Sequence, residues 1–369
     1  MHLPKIKRGF QVVISKEPVA VNDLIQRFPQ LFIDSIGDLG VTFSEVAAPA
    51  SATSHSAVFL ATPKALAEGL LSKAKVIIIG KKSRDEAAAV RGDRTVLIAS
   101  HVELAMATVI NAFFLATPYT NRAQNGIHPT AVIGDRTEIA PGVRIGPNAF
   151  IGANVKISSG CYIGANAVIE DQTTIGENSV IHPLSFIGHS TRIGKRCEVH
   201  PQSVIGKEGF GYAHDEQFQH TRIPHQGCVV LEDDVHIGSC VTIDRATFGE
   251  TRIQAGARLD NQIQIAHNCR IGRNSLLTSG FSVAGSTTIG ANFVAGGRSV
   301  ATGHVNVCDN VQIAALSGIA KDITEPGQYG GVPLVPVQQH IRIKAAMVQL
   351  PEMRKQLNRI IRKLGLDSE

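Results

Sequence analysis

His267 is the histidine of this chain with the most polar surroundings. It lies within LDNQIQIAHN, residues 259–268, a segment with more carboxylate and amide side chains than a packed turn requires. An imidazole titrates near neutral pH, so it can take the proton that an amine must lose when the amine attacks an acyl thioester. We therefore predict that His267 is a general base.

Gly285 and His304 follow His267 at spacings of 18 and 37 residues. Both spacings are close to multiples of 18, the length of one coil of the surrounding repeat, so all three residues should line one edge of the molecule. A glycine N–H has no side chain beside it and can donate a hydrogen bond to a carbonyl oxygen that gains negative charge. We predict Gly285 as this oxyanion donor and His304 as a binding group for the acyl chain or its carrier arm.

The repeat that positions these residues places an aliphatic side chain at every sixth position. Fourteen consecutive positions from Ile127 to Ile205 follow it, thirteen of them isoleucine, and the pattern returns over 231–243 and, in a shifted frame, over 253–319. Each sextet is predicted to form a short strand and a turn, and three sextets close one coil, with coils stacked about 4.8 Å apart. The predicted fold is mainly β, a left-handed parallel β-helix of the hexapeptide-repeat kind that forms a triangular prism.

Three regions are predicted along the chain. Residues 1–120 form an α/β domain, residues 127–325 form the β-helix, and residues 337–369 form a basic helical extension that Pro351 should divide into two helices. The predicted strands of the first region are 57–62, 75–80 and 95–100, with helical spacing in PKALAEGLLSK and HVELAMATVINAFF.

Two insertions interrupt the repeat. Residues 207–229 contain the richest aromatic cluster of the repeat region, and a shorter insertion lies near 249–252. Insertions in solenoids form loops that often carry binding function. We predict that 207–229 is a loop at the functional site, with Phe210 and Tyr212 among the substrate-binding residues.

Three other histidines are predicted to pack turns. His128, His182 and His200 share an Ile/Val-His-Pro setting at the second place of a sextet. His182 and His200 are 18 residues apart and should stack on adjacent coils, but no third ligand falls at that spacing, so no metal is predicted. The six cysteines are dispersed without a CxxC pair, so reduced thiols are expected.

Composition narrows the class of protein. With 43% hydrophobic and 18% charged residues, the chain is globular, and its net charge of +5 is scattered without aromatic interleaving, so no nucleic-acid partner is expected. No apolar run is long enough to span a membrane, and the first residues lack a secretory signal, so a cytoplasmic protein without a transmembrane segment is expected.

A set of ordered motifs resembles the UDP-3-O-acylglucosamine N-acyltransferase family of lipid A biosynthesis. The resemblance runs from about residue 38 to the end of the chain. It implies transfer of an (R)-3-hydroxyacyl chain from acyl carrier protein to the 2-amino group of a UDP-3-acyl-glucosamine-type acceptor. No cofactor is implied, because phosphopantetheine enters as part of the carrier substrate. The motifs are GFGYA at 209–213, LDNQIQIAHN at 259–268, VAGSTTIG at 283–290, TGH at 302–304 and ITEPG at 323–327.

The resemblance also assigns site residues. It implies the roles given above for His267, Gly285 and His304, and it places Asp260, Asn261 and Gln264 near the acceptor. In the N-terminal domain, the family's nucleotide-recognising segment reads Phe-x-x-Asn-Pro-Lys-Tyr. Here the matching positions are Phe59, Thr62 and Ala65, so Phe59 and Thr62 are the predicted uridine contacts and the tyrosine ring is lost.

Three other functions compete with this one. An O-acyltransferase of the same fold or another nucleotide-sugar N-acyltransferase would use a similar site. A metal enzyme of the carbonic-anhydrase type needs three converging histidines between subunits. A repeat scaffold without catalysis would leave the polar segment around His267 without a purpose. For assembly, flat prism faces that pack around a threefold axis predict a homotrimer.

Overall fold

The computed structural model describes residues 12–86, 92–114, 126–330 and 337–364. Two compact units divide the chain, Met1–Asn121 and Arg122–Glu369.

The N-terminal unit contains a six-stranded sheet in the order β1-β3-β4-β5-β6-β2, with antiparallel strands at both edges and parallel strands between them. The central strands β4, β5 and β6 confirm the three predicted strand segments. The strands are β1 Val12–Ala20, β2 Phe32–Ile36, β3 Thr42–Ala47, β4 Ser56–Leu60, β5 Val76–Gly80 and β6 Thr95–Ala99. The helices are α1 Val21–Arg27, α2 Pro63–Leu70 and α3 Val102–Val109, with short helical turns at Pro49–Ser51, Lys81–Ser83 and Ile110–Phe114.

The C-terminal unit is a solenoid whose three faces are parallel sheets, called faces A, B and C here. Face A contains β7 Val132–Ile133, β10 Phe150–Ile151, β13 Val168–Ile169, β16 Phe186–Ile187, β19 Val204–Lys207, β24 Thr242–Asp244, β27 Gln264–Ile265, β30 Ser282–Val283, β33 Val300–Ala301 and β36 Gly318–Ile319. Face B contains β8 Glu138–Ile139, β11 Lys156–Ile157, β14 Thr174–Ile175, β17 Arg192–Ile193, β22 Cys228–Leu231, β25 Glu250–Ile253, β28 Arg270–Ile271, β31 Thr288–Ile289 and β34 Asn306–Val307. Face C contains β9 Arg144–Ile145, β12 Tyr162–Ile163, β15 Val180–Ile181, β18 Glu198–Val199, β23 His236–Ile237, β26 Arg258–Leu259, β29 Leu276–Leu277, β32 Val294–Ala295, β35 Val311–Ile313 and β37 Gly327–Tyr329.

The aliphatic residue of each sextet explains why these strands stack. Ile157 pairs with Ile175 and Ile175 with Ile193, 18 residues apart, so identical side chains lie above one another inside the prism. All three are nearly or fully buried, and they belong to one continuous core. Each coil therefore buries its apolar face only against its neighbours. The predicted fold class, a left-handed parallel β-helix, is confirmed.

Both insertions leave the prism at the same edge, the A/B corner, where a face A strand turns into the next face B strand. The longer insertion lies between β19 and β22 and forms a hairpin of β20 Tyr212–His214 and β21 His220–Arg222. The shorter one, residues 245–249, lies between β24 and β25. The two interruptions of the sequence period thus share one edge of the molecule.

The C-terminal extension differs from the expectation at Pro351. A single helix, α4, runs from Val337 to Leu364 with Pro351 inside it, so the predicted division into two helices is wrong. A proline removes only one backbone hydrogen bond, and the bonds on either side hold the helix together. None of the helices in the described part of the chain is long and apolar enough to cross a membrane.

Candidate active site

His267, Gly285 and His304 all lie at the A/B corner, on three successive coils. The Ser286 N–H donates to the His267 carbonyl at 2.9 Å, and the His304 N–H donates to the Gly285 carbonyl at 3.1 Å. The alignment predicted from the spacing is therefore present. His304 occupies the turn position one residue after the His267 equivalent, with a left-handed φ of 62°, and its side chain is exposed.

The amide of Asn268 fixes the proton position on the His267 ring. Its Oδ1 accepts from the Thr247 N–H at 3.0 Å, and its Nδ2 donates to the Phe248 carbonyl at 2.9 Å, so the amide orientation is determined. The same Oδ1 lies 3.1 Å from His267 Nδ1, which must therefore donate. A neutral His267 then carries its lone pair on Nε2, the atom a general base needs.

The His267 ring lies directly against Gly285. A methyl group built on the Gly285 Cα would be 2.7 Å from both Cε1 and Nε2 of His267. Only glycine allows this approach, since real Cβ contacts are not this short. The basic nitrogen is therefore held beside the Gly285 backbone.

The Gly285 N–H differs from N–H groups at equivalent turns. The Ala153 N–H donates to Asp171 Oδ1 at 2.8 Å, and the Ala291 N–H donates to Asp309 Oδ1 at 2.7 Å, in each case to the residue one coil further on. The corresponding neighbour of Gly285 is a glycine, Gly303. Among the described residues, none accepts from the Gly285 N–H, so this donor is available to an oxyanion.

The longer insertion packs against this corner through His225, a residue that the sequence analysis missed. The His225 and His267 rings meet edge to face with centroids 5.1 Å apart. A methyl group on Gly209 would be 2.9 Å from His225 Nε2, and one on Gly211 would be 2.7 Å from His225 Cε1. The glycines of GFGYA therefore admit the imidazole of His225. The insertion breaks the 18-residue count, so no spacing rule points to this residue.

His225 is held as the neutral imidazole. It is only 2% exposed, and burial lowers its pKa, while a hydrogen bond from Nδ1 to the Ile223 carbonyl at 3.0 Å acts in the opposite direction and the nearby His267 lowers the pKa further. Because Nδ1 donates to that carbonyl, the lone pair lies on Nε2. This ring buttresses His267 without adding charge to the site.

Replacing His225 with glutamine should weaken the loss of stability on acidification. A histidine whose folded-state pKa is lowered destabilises the fold as pH falls below its unfolded value of about 6.5, because the unfolded chain then binds more protons. We expect the decrease in Tm between pH 7.5 and pH 5.5 to be smaller in His225→Gln than in the wild type. An equal replacement at His128 is the control, and an identical decrease in the wild type and His225→Gln would contradict the buried neutral state.

A charged pair and Gln264 extend the site along face A. Asp244 is 3% exposed and lies 2.7 Å from the Lys207 ammonium, and Gln264 Nε2 donates to its Oδ2 at 3.2 Å. Gln264 is thus connected to the base of the insertion, as expected for a residue near the acceptor.

Asp260 and Asn261 lie at a different edge, the C/A corner, where a face C strand turns into the next face A strand. Asp260 accepts from the Asn261 N–H at 2.7 Å and the Ser279 N–H at 3.1 Å. Asn261 Oδ1 accepts from the Ser239 N–H at 2.7 Å. Both side chains cap turns here.

The remaining predicted site residues lie in two places. Phe210 and Tyr212 are on the insertion hairpin, 83% and 49% exposed, with ring centroids 5.1 Å apart. In the N-terminal unit, Phe59 lies half-buried in β4 against the core, and Thr62 Oγ1 caps α2 by accepting from the Ala65 N–H at 3.1 Å. The first pair presents aromatic surface next to the A/B corner.

The turn histidines of the C/A corner have a partner that the spacing argument did not include. The His182 and His200 rings stack with centroids 4.7 Å apart, as expected. Glu198 Oε1 lies 2.7 Å from His182 Nε2, so a carboxylate joins the pair. The expectation that no third potential ligand accompanies these histidines is wrong, because Glu198 follows His182 by 16 residues and not by 18.

The fold and the A/B corner together define a hexapeptide-repeat β-helix protein with a histidine-based site. Comparison with known proteins narrows this class. The chain is 47% identical over 144 residues to the UDP-3-O-acylglucosamine N-acyltransferase of Wolinella succinogenes, covering 39% of this chain and 45% of that protein. It is 38% identical over 165 residues to the enzyme of the same name from Methylococcus capsulatus, covering 44% of this chain and 47% of that protein. The chain is therefore related to enzymes of the acyltransferase class, and it spans about half the length of the curated relatives it matches.

Two further comparisons concern the repeat. A family model described as the GMPPB C-terminal domain matches residues 127–210. The structure of LpxA from Acinetobacter baumannii aligns with a TM-score of 0.44 at 24% identity, covering 59% of this chain and 77% of that one. The UDP-N-acetylglucosamine O-acyltransferase from Moraxella catarrhalis aligns with a TM-score of 0.40 at 23% identity, covering 64% and 91%.

Proposed function

We propose that this protein transfers an (R)-3-hydroxyacyl chain from acyl carrier protein to the 2-amino group of a UDP-3-acyl-glucosamine-type acceptor, a step of lipid A biosynthesis in the cytoplasm. The observation that carries the proposal is the contact between the lone-pair nitrogen of His267 and the Gly285 backbone, whose N–H is available. The names of the relatives supply the substrates.

The chemistry follows from these two groups. The acceptor amine attacks the thioester carbonyl carbon, and His267 Nε2 takes the proton that the amine loses. The carbonyl oxygen gains negative charge and accepts from the Gly285 N–H. The C–S bond then breaks, the amide is formed, and the proton passes to the thiolate of the carrier's phosphopantetheine arm. His304, exposed one coil further on, is proposed to bind the acyl chain or that arm.

The A/B corner offers an unobstructed path for a chain beyond Gly285. The next two positions of the same column, 18 and 36 residues on, are Gly303 and Lys321. A cavity of about 540 Å³ begins at Lys321 and includes Ile319, Ile323 and Tyr329 in its walls. Two coil steps of about 4.8 Å separate Gly285 from this apolar space. We propose that the acyl tail follows this edge of the prism.

The helix α4 supports the proposed homotrimer. Its exposed apolar residues recur at alternating spacings of three and four, the pattern of helices that pack on one another in a coiled coil. An isolated helix with this surface would leave it in water. The residues of this stripe are Ile343, Ala346, Leu350, Met353, Leu357, Ile360 and Leu364.

The N-terminal unit is proposed to bind the nucleotide of the acceptor. Phe59 and Thr62 are the residues proposed to contact the uridine, by ring stacking and by hydrogen bonding. In this assignment Thr62 must bind with its hydroxyl while it also caps α2.

The decisive assay combines the purified protein with (R)-3-hydroxyacyl carrier protein and two acceptors, one UDP-3-acyl-glucosamine with a free 2-amine and one UDP-N-acetylglucosamine with a free 3-hydroxyl. Mass spectrometry should show a new amide on the first acceptor and no product from the second. Acylation of the hydroxyl alone would identify an O-acyltransferase, and no transfer to either would refute the proposed function.

A further inference from the structure

The C/A corner carries a cluster of two imidazoles and one carboxylate that has no role in the proposed acyl transfer. His182 follows β15, while Glu198 lies in β18 and His200 follows it, one coil further on. The potential ligand atoms of the three side chains all lie within 4.8 Å of one another. The cluster therefore joins two neighbouring coils.

We propose that His182, Glu198 and His200 bind a divalent transition metal ion of the Zn²⁺ class. His182 Nε2 and His200 Nε2 lie 2.7 Å and 3.5 Å from the same Glu198 oxygen. In a tetrahedral zinc site with bonds of about 2.0–2.2 Å, neighbouring ligand atoms are about 3.4 Å apart. The three donors need to move only by fractions of an ångström to reach that geometry.

The ligand set and its environment fit such an ion. Two imidazoles and a carboxylate form the kind of set that binds zinc while leaving a fourth position open. His182 is 4% exposed, so water competes poorly at its side of the site. Burial lowers the pKa of His200, and the hydrogen bond from His182 lowers the pKa of Glu198, so both groups are held in the protonation states that bind metal.

The open side of the cluster faces a groove of about 380 Å³ lined by His200, His236 and Arg258, among others. His236 pairs in register with Glu198, and Arg258 pairs with His236. The Arg258 guanidinium donates to the backbone carbonyls of Asp234 and Ala257. This groove gives the ion an entry path from solvent and space for a water molecule as a fourth ligand.

His128 shows what the same turn looks like without a ligand set. It shares the Ile-His-Pro setting of His182, and its Nδ1 lies 3.0 Å from Thr130 Oγ1. The position 16 residues after His128 is Arg144, where His182 has Glu198. A turn histidine therefore packs without a carboxylate, and the packing role does not account for Glu198.

The test titrates the metal-stripped, full-length protein with Zn²⁺ alone by calorimetry, with metal content measured after gel filtration. We expect one Zn²⁺ per chain in the wild type and a visible four-coordinate absorption spectrum when Co²⁺ replaces it. Glu198→Gln and His200→Ala should each weaken binding by more than about 100-fold, since loss of a ligand exceeds the 10–100-fold effect of losing an outer partner.

His128→Ala is the matched control and should bind Zn²⁺ like the wild type. Circular dichroism of each variant checks the fold, and both ligand variants change partly exposed side chains and spare the buried His182. Absence of saturable binding in the wild type would overturn the proposal. Undiminished binding by Glu198→Gln and His200→Ala would overturn it as well, and neither result bears on the acyl-transfer assay.

Discussion

Replacing His267 with alanine should lower kcat for acyl transfer by about 10²–10⁴-fold, the usual contribution of a positioned general base. The lone pair on Nε2, set by the hydrogen bond from Nδ1 to Asn268, is lost with the ring. Steady-state kinetics with the hydroxyacyl carrier and the UDP-amino sugar measure the effect. The Michaelis constant should change much less than kcat, since the base acts on the transition state.

The matched control for this variant is His128→Ala, which removes a turn imidazole from a distant coil. It should retain wild-type kcat. His267→Ala should keep the circular dichroism spectrum of the wild type, because the apolar core of its coil is untouched. Unchanged acyl transfer by a folded His267→Ala protein would refute the mechanism.

Gly285→Ala is expected to reduce kcat by about 10²–10³-fold, the effect seen when one oxyanion donor is lost. The added methyl group would lie 2.7 Å from Cε1 and Nε2 of His267, so the ring must move away from the Gly285 backbone. A single methyl group thus disturbs the base and the donor together. The same kinetic assay measures the result.

Gly297→Ala separates this effect from a general intolerance of alanine in the prism. A methyl group on Gly297 would be 3.5 Å from the Ser279 carbonyl oxygen, an ordinary contact. This variant should match the wild type in both activity and Tm. If both glycine variants lost activity equally, the contact between Gly285 and His267 would not be the cause.

The prism and its A/B corner could be predicted because the repeat has a strict period. Once each coil is 18 residues, residues at matching positions must stack, and His267, Gly285 and His304 follow from counting alone. The contact between the His267 ring and Gly285 also follows, since adjacent coils are about 4.8 Å apart. Local periodicity was thus enough to assemble the central part of the site.

Features that depend on leaving the period could not be predicted in the same way. His225 reaches the site through an insertion, where coil counting fails. Glu198 joins His182 from a strand, two residues short of a full coil, so a rule based on 18 passes over it. Asp260 and Asn261 are near His267 in sequence, but one sextet separates two edges of a triangle and turns their side chains to another corner.

The stacking of coils along the A/B corner makes the depth of the edge below Gly285 a quantity that changes in whole steps. Inserting or deleting one 18-residue coil between Gly303 and Lys321 would move the terminal cavity by about 4.8 Å and leave the catalytic pair unchanged, since each coil contacts only its neighbours. Substituting a single side chain along the column adjusts the same depth by much less. The architecture therefore works as a measuring rod with a coarse and a fine scale, and related chains can differ in the length they accept without any change in their chemistry.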